Sequence, residues 1–495
     1  MKTFLTKHRI LCLAGLLLGV FFIVPGFSDS GIYKYSGKFE KNKDLDVDVA
    51  SLVPEYSSGN YSESVLDITL EEAVEMALSE SSQIKTARID SNLKTRAYDT
   101  RWNVFIPSVT FTGSGIRSST VTDYTSMFSS LLPFLPPSPA PTESDHWALS
   151  ATLSASLNLN IALIEGIKAS RNNLHLGYIT LKQAEKQVER DVKKLFYSIL
   201  LMQDNLSLQK ELLENSKNRY EQAKINYQQG RVPELTVLQT QVTYENMKPS
   251  VMELEHTVRQ QLRSFALVIG MEEGVLPNLV GEIKPEFVDL DKTVLAKKYS
   301  ASSFDVISLQ KNIMLMENSL MAAKFQMYTP SLSFSYAYTP TMSDVTAPFF
   351  DSESWTDNGR FTASLYFDIT GLLPFSSTYQ KMLDIQANLD KLRLNLNLLV
   401  QNNASEIISL VEKLEKSKSS MEVSQMSVGL AQKAYDMTLT AFQNGTTELL
   451  DLRDSESQLA QARLGLANEG FNYISALLDL EYLVNADLTE ITENP

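Results

Sequence analysis

Two carboxylates, Asp451 and Asp454, have a type and spacing that could do chemistry. They lie three apart in a stretch whose apolar spacing predicts a helix, so their side chains share one face. Grouped negative charge attracts cations and repels anions. Acids near a helix N-terminus also favour the helix dipole, so the pair has a purely structural use as well. Other candidates are thin. His8 sits in an N-terminal apolar region, and His146, His175 and His256 are scattered without the spacing of metal ligands. Gly113 and Gly115 fall inside a candidate strand rather than ahead of a helix, so they are not expected to hold a phosphate. No G-x-S-x-G nucleophile motif occurs. The chain is therefore expected to be no enzyme and to carry no metal or cofactor.

The elements that position Asp451 and Asp454 belong to a chain of 495 residues with net charge −15, one cysteine and mean hydropathy −0.12. Such an acidic balance disfavours nucleic acid, whose phosphates are bound mainly by Lys and Arg. At the N-terminus Lys2, Lys7 and Arg9 precede the uncharged stretch Ile10 to Val24 and the turn Pro25-Gly26. This reads as a signal peptide over residues 1–27, too short an apolar run for a typical spanning helix. Cys12 lies inside that leader, so the mature chain has no cysteine. Losing three basic residues and no acidic ones takes its charge from −15 to −18. Residues 28–66 form a polar extension with Tyr33, Tyr35, Tyr56 and Tyr61 among Ser, Asp and Lys.

From Thr69 the period becomes helical through Leu70, Ala73, Val74, Ala77 and Leu78, with Thr69 and Glu72 spaced as a capping box. This helix is expected to run towards Phe105 and stop at Pro107. A proline-free stretch follows from Pro141 to Pro233, and Glu165 to Gln229 predicts a single helix of roughly 100 Å at about 1.5 Å per residue. Its seam runs through Val188, Val192, Leu195, Ile199, Met202, Leu206, Gln209, Leu213, Ser216, Tyr220, Ala223 and Tyr227, the 4-3 spacing of a coiled coil. The end of that helix recurs downstream: Tyr220, Gly230 and Leu235 correspond to Tyr435, Gly445 and Leu450, an offset of 215. Ile106-Pro107-Ser108 likewise recurs as Thr329-Pro330-Ser331, at an offset of 223. Two structural repeats are expected, at 67–270 and 291–484, with an inter-repeat linker at 271–290 and a tail at 485–495. In the second, a weaker seam passes through Ile407, Leu410, Leu414, Met421, Val428, Ala431, Tyr435 and Phe442, and Leu452, Leu459, Leu466, Tyr473 and Leu480 mark the returning helix. In the first, Pro249 is expected to kink the returning helix.

After each landmark proline the period becomes two. Leu149, Leu153, Leu157 and their neighbours alternate with Ser, Thr and Asn up to Leu163. Val109 and Phe111 begin a partner strand, and Leu332, Phe334, Phe361, Leu365 and Phe367 do the same in the second half. A soluble sheet with one buried face alternates too. Three details favour lipid: the polar faces are Ser, Thr and Asn rather than Lys and Glu, Trp102, Trp147 and Trp355 lie beside strands, and the inter-strand loops are long and polar. The first of those loops contains the proline-rich run Pro133 to Pro141, and the second carries Asp344, Asp351, Glu353 and Asp357. Four strands cannot close a barrel, and an open edge in a bilayer leaves backbone groups unpaired, so such a chain must be an oligomer. Three chains supply twelve strands and room for water.

The chain resembles the TolC-like outer-membrane efflux proteins from Thr69 to about Val484. The resemblance is carried by Ile68-Thr69-Leu70-Glu71-Glu72-Ala73, Ile106-Pro107-Ser108, Gly230, Gly445 and the closing Phe471-Asn472-Tyr473-Ile474-Ser475-Ala476-Leu477-Leu478. It implies a membrane β-barrel joined to a long α-helical coiled-coil barrel: a homotrimer, four strands per chain, with a 12-stranded barrel in the outer membrane and a periplasmic α-tunnel. It implies an exit duct of a tripartite efflux or type I secretion system that works with a periplasmic adaptor and an inner-membrane transporter. Val109, Phe111, Leu149, Leu153, Leu157, Leu332, Phe334, Phe361, Leu365 and Phe367 would then face outer-membrane lipid. Gly230, Arg231, Val232, Leu235, Gly445, Thr446, Leu449 and Leu450 would form the adaptor-docking tips. Asp451 and Asp454 match aspartates that narrow the tunnel entrance in relatives, while Arg453 between them points elsewhere. Phe442 and Thr236 stand where relatives can carry a tyrosine and an aspartate, so a polar lock between those two positions is not expected. The alternative class is a non-channel coiled-coil structural protein of the periplasm or cell surface, and a weaker third is an exported enzyme using His146 or His256.

Overall fold

The computed structural model describes residues 64–120, 146–272, 274–342, 347–356, 358–486 and 488, all within a compact unit spanning Ser62–Pro495. The leader 1–27, nearly all of the extension 28–66, the run Pro133 to Pro141, Asp344, Asp357 and most of the tail 485–495 lie outside the described residues.

The chain opens with strand β1 (Ser64–Ile68) and helices α1 (Leu70–Glu80) and α2 (Ser82–Asp99), followed by a 3-10 turn over Arg101–Phe105. One helix was expected from Thr69 to Phe105, but it breaks at Ser81, whose extended φ/ψ ends α1. Thr69 caps α1 in a full capping box with Glu72. Then come β2 (Ser108–Arg117), β3 (Trp147–Leu159), α3 (Ala162–Gln228), α4 (Glu234–Ile269) and β4 (Val275–Leu279). The second half contains α5 (Lys292–Tyr299), α6 (Phe304–Tyr328), β5 (Ser331–Tyr338), β6 (Thr341–Met342), β7 (Gly359–Tyr366), α7 (Ser377–Gln443) and α8 (Leu449–Val484).

The long helices α3 and α7 are each 67 residues, and the returning helices α4 and α8 are each 36. Helix α4 runs through Pro249 without a break, although a proline there removes a ladder hydrogen bond. Strand β3 ends at Leu159, short of the Leu163 that alternation suggested, because Asn160 turns the chain with its side chain accepting from the Ala162 N–H. The linker is not featureless: β4 pairs in parallel with β1, from Ser64 opposite Val275 to Ile68 opposite Leu279.

Three apolar cores hold the helices. The first joins Ile68, Ile84, Val192, Phe196, Phe265 and Ile269 of β1, α2, α3 and α4, the second joins Leu295, Ile407, Leu414, Tyr473 and Leu480 of α5, α7 and α8, and the third joins Ile313 and Leu320 of α6 to Leu389 of α7. Of the expected heptad, Leu452, Leu459, Tyr473 and Leu480 are buried and Leu466 is half-buried, and Val188, Val192, Ile199, Ser216 and Ala223 of the first seam are buried too. Tyr227, the last seam position, is exposed near the turn.

Candidate functional site

Three places could carry function: the two hairpin turns, the acidic face beside one of them, and the strand face at the other end of the long helices.

Both turns are the same device. Gly230 and Gly445 adopt φ of +70 and +73, where a side chain would be strained. The Gly230 and Arg231 N–H groups donate to Tyr227 and Asn226 carbonyls, and the Gly445 and Thr446 N–H groups donate to Phe442 and Ala441. This is a Schellman closure in each case, which satisfies carbonyls that the helix end would otherwise leave open. Arg231, Leu235, Thr446 and Leu450 are exposed, while Val232 and Leu449 are half-buried. The tips thus present both apolar and polar groups to solvent.

Asp451 and Asp454 are both exposed on α8, Asp454 on the side away from buried Leu452 and Leu459 and Asp451 at the edge of the buried face, one turn before Ser455. Thr447 donates to Asp451 at 2.7 Å. Arg453 projects elsewhere and lines a groove of about 320 Å³ between α3, α4 and α8. Phe442 and Thr236 are half-buried.

Sequence reasoning missed what joins the two hairpins. Glu456, buried on α8, accepts from Asn215 of α3 at 3.0 Å and pairs with Arg219. Nearer the sheet, Lys194 of α3 binds Asp479 of α8 at 2.8 Å, and Arg190 lies over the Tyr482 ring at 4.2 Å. Seam counting cannot find these, because each pair lies more than 230 residues apart in the chain.

The strands form one antiparallel sheet in the order β2-β3-β5-β7, with β6 continuing β5 alongside the start of β3. The register decides which face each residue takes. Val109 pairs with Ala155, Phe111 with Leu153, Leu157 with Phe334, Leu332 with Leu365, and Tyr336 with Phe361. Every apolar strand position named from the sequence, Leu149 included, therefore falls on one face, and Phe367 continues it one residue past β7. Phe111 is 74% exposed and Leu365 72%. On the opposite face hydroxyls pair across strands, Ser108 with Ser156, Thr110 with Ser154 and Ser114 with Ser150, all at 2.7–2.8 Å.

Among the described residues, the outer edges of β2 and β7 have no partner strand in the sheet. At about 3.4 Å per residue and a tilt near 40°, strands of 8 to 10 residues rise about 21–26 Å, close to the roughly 25 Å apolar band of a membrane barrel. Trp102 lies at the helix end of the sheet and Trp147 and Trp355 at the other, where membrane interfaces carry aromatics. Among the described residues no helix is long and apolar enough to cross a membrane, and no His, Cys, Asp and Glu group is arranged to hold a metal ion. His146 bonds the Ser118 carbonyl, and His175 and His256 are exposed on helices.

The sequence profile of the outer membrane efflux protein family matches residues 73–271. The first half of the chain carries the signature of the outer-membrane efflux proteins. The resemblance to TolC-like channels read from the sequence is thereby borne out. Structural likeness extends over both halves. Crystal structures of CusC superpose with a TM-score of 0.66 at 16% identity, covering 88% of this chain and 96% of that one. The Campylobacter jejuni CmeC outer membrane channel gives 0.68 at 14% identity, over 86% and 88%. The outer membrane protein VceC of Vibrio cholerae gives 0.63 at 14%, over 85% and 96%. At these identities the likeness establishes the fold: long helices joined to a sheet, as in outer-membrane channels. No curated protein matches the sequence significantly. The matched family is one of efflux proteins, not enzymes.

Proposed function

We propose that the protein is the outer-membrane exit duct of a tripartite efflux or type I secretion system, passively conducting cargo from an inner-membrane transporter and its periplasmic adaptor to the exterior. The observation that carries this reading is the strand register, which gathers the apolar residues on one bare face and the hydroxyls on the other. A soluble coiled-coil protein would have to cover that face, whereas lipid covers it without further protein.

Three copies would close the open β2 and β7 edges into a 12-stranded barrel, satisfying the backbone groups that lipid cannot. The helices support the same assembly. Val423, Met426, Leu430 and Met437 form an exposed apolar stripe on α7, and Leu235, Leu238 and Val242 form another on α4, both within about 35 Å of the hairpin turns at 1.5 Å per residue. Stripes on two different helices that overlap partly in height suit head-to-tail packing around a ring, which buries both. The two glycine turns would then cluster at the periplasmic end as the adaptor-docking tips. Asp451 and Asp454 from three chains would place six carboxylates around the axis and favour cations.

Purified protein reconstituted in a planar bilayer is expected to conduct ions, and repeated absence of conducting oligomers would remove the duct reading. In channels that conduct, replacing Asp451 and Asp454 together with Ala is expected to lower cation preference. Unchanged selectivity would take them out of the constriction.

A further inference from the structure

Within β2, β3, β5 and β7, the hydroxyl-bearing face carries a single charged side chain. Arg360, the second residue of β7, pairs with Ala337, which pairs with Ser154, which pairs with Thr110, so one lateral row runs across the sheet from Thr110 to Arg360. The rest of that face is Ser, Thr and Asn with Ala148, Ala337, Ile116 and Tyr366. Arg117, the other strand arginine, lies on the apolar face opposite Trp147. Arg360 is exposed and makes no ion pair with any described residue. Because β7 runs back towards α7, its first residues lie at the end of that strand farthest from the long helices, with β2 and β3 continuing beyond the row.

A guanidinium stays charged at any physiological pH and binds carboxylates and phosphates with two parallel hydrogen bonds. Twelve strands about 4.8 Å apart and tilted about 40° make a cylinder roughly 24 Å across. Its half-width, about 12 Å, is close to the Debye length of about 10 Å at 0.1 M salt and well below the roughly 30 Å at 0.01 M. Three guanidiniums on the inner wall therefore influence the whole cross-section in dilute salt and only the wall region in concentrated salt. Asp451 and Asp454 sit beyond the far end of α7, about 100 Å away along 67 residues, so the two charged zones are screened from each other.

We propose that Arg360 sets the selectivity of the exit, drawing anionic groups of cargo, carboxylates or phosphates, into the outer part of the barrel. The duct would then be acidic where cargo enters and basic where it leaves. This rests on the duct reading with the hydroxyl face lining water. The test is the reversal potential of reconstituted channels under a KCl gradient near 0.01–0.1 M, for the parent, Arg360→Lys, Arg360→Gln and Arg360→Glu. The K+/Cl− permeability ratio is expected to rise about twofold or more in Arg360→Gln and further in Arg360→Glu, to stay near the parent value in Arg360→Lys, and to converge for all at about 1 M. Conducting Arg360→Gln and Arg360→Glu channels with the parent's reversal potential overturn the proposal. A parent that forms no channel overturns the duct reading instead. The mature chain's lack of cysteine allows a second route that starts from assembled channels: Arg360→Cys treated with a cationic thiol reagent should regain the parent's selectivity, while a neutral reagent should not. If water-soluble reagents cannot reach the thiol of the Arg360→Cys variant, the position lies outside the lumen and the proposal is overturned as well.

Discussion

Leu, Phe and Val fill buried cores in the helical region of this chain, whereas on the apolar face of its sheet they are half-buried or bare. Phe196 and Phe265 are each 1% exposed, with rings 6.3 Å apart between α3 and α4. Phe111 and Phe361, with similar side chains, stand 74% and 67% exposed on the sheet. A helix hairpin brings its own second face, so one chain can complete a seam. A four-stranded sheet with most of its apolar residues on one side has nothing among the described residues to set against them. The difference shows that the helix seams are satisfied by folding, whereas the sheet face, like the exposed stripes on α4 and α7, is satisfied only by what surrounds the chain.

The largest effect expected is on the strand face. Arg in place of both Leu153 and Leu157 should cost about 2–4 kcal/mol each near a bilayer midplane and abolish recovery of assembled oligomer from membranes. Normal membrane assembly of this double variant would break the comparison outright. Next comes the helical core, where Phe265→Ala should cost about 3–5 kcal/mol in thermal unfolding of detergent-solubilised protein. Phe111→Ala should leave that unfolding nearly unchanged, and equal losses at the two positions would mean that the sheet face is covered within the chain.

A smaller effect is expected where the hairpins meet. Arg219→Met strands a buried carboxylate and should cost about 2–4 kcal/mol, while adding Glu456→Leu should recover most of it, because a buried pair is worth little beyond mutual neutralisation. A double variant as unstable as the single one would show that the clasp stabilises in its own right. The smallest effect concerns Glu189. Burial pushes its carboxyl up, but the hydrogen bonds and charges of Lys193 and Lys186 outweigh burial and leave it below the ordinary carboxylate range. A lowered folded pKa stabilises above the unfolded value of about 4.3 and loses that contribution as pH falls through the folded value. Glu189→Gln should therefore lower stability slightly at pH 7, by well under about 1 kcal/mol for a half-buried carboxylate that solvent still screens, and not at all near pH 3. An equal loss at both pH values would assign the effect to packing instead.

Much of this was legible in the sequence because it is periodic. The 4-3 spacing from Val188 to Ala223 and the sevens from Leu452 to Leu480 predict helices and their buried sides, since a helix returns to the same face every three or four residues. Gly230 and Gly445 were readable as turns because few other residues accept a positive φ. The strands were readable from alternation, although β3 ended sooner than its pattern. The capping box at Thr69 was correct, but the break at Ser81 lay within an unbroken helical pattern and could not be seen.

The sequence by itself determined which residues are apolar, at what period they recur, where the chain reverses, and that a pair of aspartates follows the second turn. Only the tertiary structure decided how those patterns meet. It set the register that puts Phe111, Leu153 and Phe361 on one face and Arg360 on the other, paired β1 with β4 across more than 200 residues, and closed Glu456 onto Arg219. The physical reason is that period is a property of one segment's backbone geometry, whereas register and pairing depend on two segments at once. That second kind of information resides in the contacts between distant parts of the chain, not in the spacing within either.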